Sequence, residues 1–294
     1  MSVRTPRSWK GSADRRSTVL TIGMLAALVY FLLPLFWLFV ASTKSTGDLF
    51  SSFGLWFADD VSLLANVERT LTYGDSVFVR WLLNTFFYAV TAAAGAATLA
   101  ALGGYGFAKY RFAGNRALFI LILGAIMVPT TALAIPTYLL FSKVGLVNTP
   151  WAIILPSLVS PFGLYLMRVY VESAIPDSLI EAARIDGASE FRIFFRVVLR
   201  MLMPGFVTVL LFTLVATWNN YFLPLIMLNN PSLYPITVGL ARWQGQAAAS
   251  GGASGDLLPL VITGSMLSII PLIGAFLMLQ RYWQSGLLAG GVKQ

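Results

Sequence analysis

The chain has 294 residues, 57% of them hydrophobic and only 11% charged, with a formal net charge of +8 and neither cysteine nor histidine. A soluble domain of this length needs far more polar surface to cover itself, so the solvent for most of the chain is a bilayer. Disulfides, thiolate or imidazole metal ligands and an imidazole base are all excluded; the basic excess is read through its distribution along the chain, not as a sign of nucleic acid.

About 20 apolar helical residues cross a bilayer core. Six stretches qualify, in chain order 19–41, 81–108, 117–142, 149–167, 201–228 and 257–279, and none contains Asp, Glu, Lys or Arg. Open strands would leave amides unsatisfied in hydrocarbon, so the spans are helices. The expected fold is an all-α integral membrane protein of six transmembrane helices over residues 19–279, with an N-terminal segment 1–18 and a tail 280–294.

The first run begins after Arg15 and Arg16 like a signal peptide, but it exceeds a usual signal core and is read as a span. Positive loops stay cytoplasmic. With both termini cytoplasmic, the inner segments hold fifteen of the 20 Lys and Arg, leaving Lys44, Arg69, Arg80, Lys143 and Arg242 outside. In the second span Ala92, Ala96, Ala100 and Gly104 recur every four residues and predict a face that a neighbouring backbone can approach closely. Nine of the 14 prolines lie in or at the ends of spans, which suits bent helices along a moving pathway. The run "GQAAASGGASG" at 245–255 reads as a flexible external loop.

The bridge between the fourth and fifth spans, residues 168–200, is too long to be a simple turn. Pro176 breaks the chain, Asp177 or Ser178 is the N-cap, Ser178 and Glu181 are spaced as a capping box, and Gly187 stands where a helix ends in a left-handed residue. Ser189 then opens a basic amphipathic helix with Arg192, Arg196 and Arg200 at every fourth position. On these residues alone, an interfacial helix lying on anionic lipid and a docking element for a cytoplasmic partner are equally good readings.

Glu181, Ala182 and Ala183, three residues, then Gly187 resemble the EAA signature of ABC-importer permeases, and Asp186 and Ala188 fit its EAAxxDGA form. The similarity continues through "LLNTFFYA" from Leu82, "YGFAKYRFAG" from Tyr105, "TWNNYFLPLIML" from Thr217, "YPITVGL" from Tyr234 and "LQRYWQSGLLAGGVKQ" from Leu279, the pattern of the maltose-G-type carbohydrate permeases. One departure is plain: where that family usually has Leu-Pro, this chain has Leu199 and Arg200, with the next proline at Pro204. The resemblance implies a bacterial plasma (inner) membrane protein whose coupling helix, with Glu181, Ala182, Ala183, Asp186 and Gly187, enters a groove on a separate ATPase. It implies a heterodimer with a second permease, an ABC ATPase dimer that holds the ATP and Mg, and an extracytoplasmic solute-binding protein, with no cofactor on this chain. The tail, including Gly290 and Gly291, either touches the ATPase or is frayed.

The residues agree with a passive pore half. No G-x-x-x-x-G-K-[ST] occurs to cradle ATP phosphates. An ion-coupled carrier is the alternative, but it would need ionisable groups within the spans; a membrane enzyme would need an activating base at membrane depth. For a sugar, planar amides and aromatic faces are the expected contacts, which singles out Trp218, Asn219, Asn220 and Tyr221 in the fifth span and Asn84 in the second. Asn219 and Asn220 serve equally well as pathway lining or as helix packing.

Overall fold

The computed structural model describes residues 18–249 and 257–291, the last nine of these as backbone. The basic cluster from Arg4 to Arg16, most of the Gly/Ala/Ser run and Lys293 lie outside the described residues. The helices are α1 Thr18–Ser42, α2 Thr46–Ser51, α3 Leu63–Lys109, α4 Asn115–Gly124, α5 Ala134–Lys143, α6 Trp151–Ser157, α7 Pro161–Ala174, α8 Asp177–Ile185 and α9 Glu190–Ile193. After a π turn at Phe194–Val198 come α10 Leu199–Met201, α11 Met203–Trp218, α12 Phe222–Met227, α13 Ile236–Ala249 and α14 Leu257–Gly291. There is no strand among the described residues.

Four helical segments are long and apolar enough to cross a bilayer: α1, α3, the α6–α7 stretch Trp151–Ala174, and α14 to Tyr282. A fifth comes from Glu190–Met201 and Met203–Trp218 taken together, bent by 79°. The expected third span, 117–142, is not one helix but two of 10 residues, α4 and α5, separated by the turn around Pro129. Val128 adopts the extended conformation that a following proline ring imposes (ψ 120), which ends the helical path. Each half is about 15 Å long, half a bilayer core. The bridge also departs from expectation: Ser178 and Glu181 form no capping box, because α8 begins two residues earlier, at Asp177, with Pro176 as its N-cap and no side-chain capping bond. Ser189 sits at the next N-cap, likewise without a side-chain bond. Residues 245–249, expected in a loop, are the last turn of α13.

α3 organises the packing. The helix is longer than the second span, reaching back to Leu63 across a break at Tyr73–Ser76, where Gly74, Asp75 and Ser76 all have positive φ. From Ala92 onward its small face is buried as the four-residue repeat predicts, and α7 and α11 close on it. A Cβ on Gly104 would lie 2.7 Å from the Arg168 backbone nitrogen and 2.8 Å from the Met167 carbonyl carbon, so the α3–α7 crossing is made at backbone contact. At one end of the bundle Phe78, Trp81 and Trp243 form an aromatic core. At the other, Tyr105, Met167, Ile180, Ile193 and Phe194 share a second core that reaches under α8.

The turn after α1 buries Lys44 to 1% exposure, and its Nζ donates to the Phe53 carbonyl at 2.7 Å. Asn66 donates from Nδ2 to the carbonyls of Ser42 and Lys44, both at 2.9 Å, tying this turn to the start of α3.

Candidate functional site

α8 is short, and two of its sides have different tasks. Ile180 is buried in the second core and Ala183 packs against it. Glu181 and Ala182 are exposed, as are Ile185 (86%) and Asp186. The EAA triplet is therefore divided: Glu181 and Ala182 face outward, while Ala183 faces the body of the protein.

The helix ends at a Schellman corner. Gly187 has φ +78, its N–H donates to the Arg184 carbonyl, and the Ala188 N–H donates to the Ala183 carbonyl, both at 3.0 Å. No atom lies within 4 Å of where a Gly187 Cβ would be, so the glycine is required by backbone conformation and not by space.

Two polar clamps fix α8 to the end of α3. Lys109 Nζ, in the last turn of α3, donates to Asp177 Oδ1 and to the Ile175 carbonyl, each at 2.6 Å. At the other end Arg184 Nε donates to Glu190 Oε1 at 2.7 Å, and the Tyr110 hydroxyl donates to Glu190 Oε2. Both clamps also follow the helix dipoles, since Lys109 and Arg184 close C-termini and Asp177 and Glu190 open N-termini. The hydrogen bond from Lys109 holds the Asp177 carboxyl below its ordinary range, and that from Arg184 does the same for Glu190. Burial, helped by the Glu190 hydrogen bond, pushes the Tyr110 hydroxyl up. Lys109, Tyr110, Arg184 and Glu190 were not among the sequence-derived candidates; the available signal was the matching charge at the ends of two helices.

Since both carboxyl values are depressed, the clamps contribute above the ordinary carboxylate range of about 4 and fade only as pH falls through the lower, folded-state values. Between about pH 6 and 8 the anchoring of α8 is expected to be independent of pH; a change in its hydrogen-exchange protection across that window would show that other groups govern it. The Asp177 clamp is solvent-exposed on its acidic side, so its loss in Lys109→Met is expected to raise the hydrogen-exchange rate of the α8 amides only about two- to fivefold. The exchanged pair Lys109→Asp with Asp177→Lys should recover part of that protection, and hydrogen exchange of the three proteins checks it.

The pathway candidates are not gathered in one place. Asn84 donates both amide hydrogens to the carbonyls of Ser232 (2.8 Å) and Tyr234 (3.1 Å), stapling the turn at Pro231–Leu233 to α3. Trp218 is buried with Ala89, Ala93 and Leu214. Asn219 donates to the Val215 carbonyl of its own helix at 2.9 Å, and Tyr221 is exposed. Asn220 lines a cleft of about 350 Å³ between the α6–α7 break and the end of α11. Ser157, Ser160, Thr213 and Thr217 supply hydroxyls to the same cleft. The Asn220 Oδ1 accepts weakly from the Leu223 N–H at 3.4 Å, and its Nδ2 has no protein acceptor among the described residues.

A family model described as a binding-protein-dependent transport system inner membrane component matches residues 93–279, the stretch holding the α3–α7 crossing, α8 and the cleft. The chain belongs to that family. The permease is 31% identical to the arabinooligosaccharides transport system permease protein AraQ of Bacillus subtilis (strain 168), over 92% of this chain and 93% of that one. It is 29% identical to the melibiose/raffinose/stachyose import permease protein MelC of the same organism, over 96% and 99%. Its structure is similar, with a TM-score of 0.77 and 26% identity over 95% and 100% of the two chains, to a bacterial ABC transporter involved in the import of the acidic polysaccharide alginate. This chain is accordingly a multi-pass inner-membrane permease subunit of an ABC importer and not an enzyme, and nothing favours the ion-coupled alternative.

Proposed function

We propose that the permease forms half of a carbohydrate pathway, worked from the cytoplasm through α8. The observation that carries the reading is α8 itself: a helix closed by the Gly187 corner and held at both ends by ionic clamps, with Glu181, Ala182 and Ile185 turned away from the body. A rigid element anchored to α3 transmits a push into the packed bundle, because α3 also closes on α7 and α11. Exposed Ile185 offers apolar surface, and Glu181 an acceptor, to a groove on an ATPase subunit. ATP and Mg belong to that ATPase dimer, while a second permease completes the pathway and a solute-binding protein delivers the sugar from outside. The relatives named for oligosaccharide transport support the substrate class.

In this reading residues 19–279 cross the membrane six times with both termini cytoplasmic. α4 with α5 makes the third crossing, α6 with α7 the fourth, and the bent pair at Leu202 opens the fifth. A protease site placed in the 168–200 bridge is expected to be cut only from the cytoplasmic side of sealed vesicles; cutting from outside reverses the topology.

Asn220, with an amide facing a hydroxyl-lined cleft, is the sugar contact of this proposal. Asn220→Ala is expected to lower substrate-stimulated ATPase activity of the complete transporter roughly fivefold to tenfold, the value of one or two hydrogen bonds, with little change in basal activity. Equal effects on both activities would assign Asn220 to helix packing.

A further inference from the structure

The turn that joins α3 to α4 carries a groove of about 760 Å³ that the coupling reading does not use. Arg111 and Arg116 stand on it, both exposed, and neither has a carboxylate at ion-pair distance among the described residues. The turn itself is fixed: Asn115 donates from Nδ2 to the carbonyls of Phe107 (3.2 Å) and Tyr110 (3.0 Å), which sets the two arginines on a defined frame. Below them the lining becomes apolar with Phe112 and Ile120, 44% and 58% exposed, and the exposed face of α4 continues the same surface through Leu121. Two guanidinium groups above an apolar wall at the rim of a membrane helix match one class of ligand, an amphiphile with a phosphate head and hydrocarbon tails.

We propose that this groove binds the phosphodiester headgroup of an anionic phospholipid, with Arg111 and Arg116 holding the phosphate and the acyl chain lying along Phe112 and Ile120. Its assignment to the cytoplasmic leaflet rests on the orientation proposed above; the binding itself does not. The site adjoins the coupling machinery, since Tyr110 both lines the groove and donates to Glu190, and the Arg111 charge acts on Asp177. A bound phosphate would draw Arg111 away from Asp177 and leave that carboxylate to Lys109. An acidic surface of the ATPase is the competing occupant, but the apolar wall continuing along α4 favours lipid.

The test uses the complete transporter in nanodiscs of phosphatidylcholine with or without phosphatidylglycerol, followed by native mass spectrometry after detergent exchange. The wild type is expected to retain phosphatidylglycerol and not phosphatidylcholine, and Arg111→Gln with Arg116→Gln to weaken that retention about thirtyfold, each charge near a surface counting about fivefold. Arg111→Lys with Arg116→Lys keeps the charges and should keep most of the binding, which separates loss of the site from a folding defect. Arg192→Gln with Arg196→Gln removes equal charge from an exposed face outside this groove and should leave retention unchanged. The proposal is overturned if that control pair matches the groove pair, if both lipids are retained alike, or if soluble glycerol phosphate displaces the lipid at equal concentration. It is also overturned if the groove variant keeps its lipid and instead releases the ATPase. Reversed topology in the protease experiment would move the site to the other leaflet and leave the retention results as they are.

Discussion

Gly187→Val is expected to leave the permease in the membrane at normal abundance and to cut uptake about ten- to thirtyfold. The φ of +78 lies in the left-handed region, where an L side chain costs about 1–2 kcal/mol and a β-branched one more. At about 1.4 kcal/mol per tenfold, the corner that ends α8 becomes a minor conformation. Losing it releases two hydrogen bonds at once, from the N–H groups of Gly187 and Ala188 to the carbonyls of Arg184 and Ala183. The surroundings make the experiment clean, because an added side chain meets no atom within 4 Å and the defect is purely conformational. Gly187→Asn supplies the control, since asparagine visits the left-handed region readily and should retain most activity. The measurements are sugar uptake by cells and stimulated ATPase activity of the purified complex. Unchanged uptake in the valine variant, or an equal defect in the asparagine variant, would remove the corner from the coupling pathway.

Gly104→Val acts on the opposite kind of site. Here φ is helical and space is the constraint: the atoms nearest to a new Cβ are the Arg168 nitrogen, the Met167 carbonyl carbon and the Met167 Cβ in α7, between 2.7 and 2.8 Å away. Backbone in a helix cannot step aside as a flexible side chain can, so α7 must move as a body and the contacts of Met167 and Val171 in the second core loosen with it. The cost is expected near or above the upper end of overpacking, about 3 kcal/mol, seen as aggregation or a lowered melting point of the detergent-solubilised protein. Gly106→Val, two residues on in the same helix and with no atom within 4 Å, should stay close to wild type. If the two variants melt alike, the close crossing of α3 and α7 contributes little to stability. The repeat of small residues that announces this crossing is visible in the sequence, but its partner is not.

The same division runs through the coupling element. Gly187 was legible because helix termination is local: a glycine after a run of helix formers has few other uses. Its clamps were not, since Lys109 and Asp177 are 68 residues apart and meet only because α3 and α8 share a core around Ile180. The capping box failed for a related reason. Ser178 has the right spacing to Glu181, but with Asp177 drawn to Lys109 the helix starts at the aspartate and places the serine inside its first turn. Asn84 is informative in another way. An amide inside a span resembles a sugar ligand, yet both of its hydrogens are used by backbone carbonyls 148 and 150 residues away. In the third span, average hydropathy runs smoothly across 117–142, and only the constraint that Pro129 places on Val128 records the break between α4 and α5.

By itself the sequence determined the solvent, the helical class, the small-residue face of α3 and the left-handed corner at Gly187. Each depends on terms a single segment carries: transfer of side chains to hydrocarbon, backbone hydrogen bonds made within one helix, and the φ preference of one residue. Tertiary structure alone decided which polar side chains face a cleft and which are consumed by distant carbonyls, where the long apolar runs break, and what holds α8 in place. Those outcomes are fixed by hydrogen bonds and packing between groups far apart in the chain, whose geometry exists only once the helices have met.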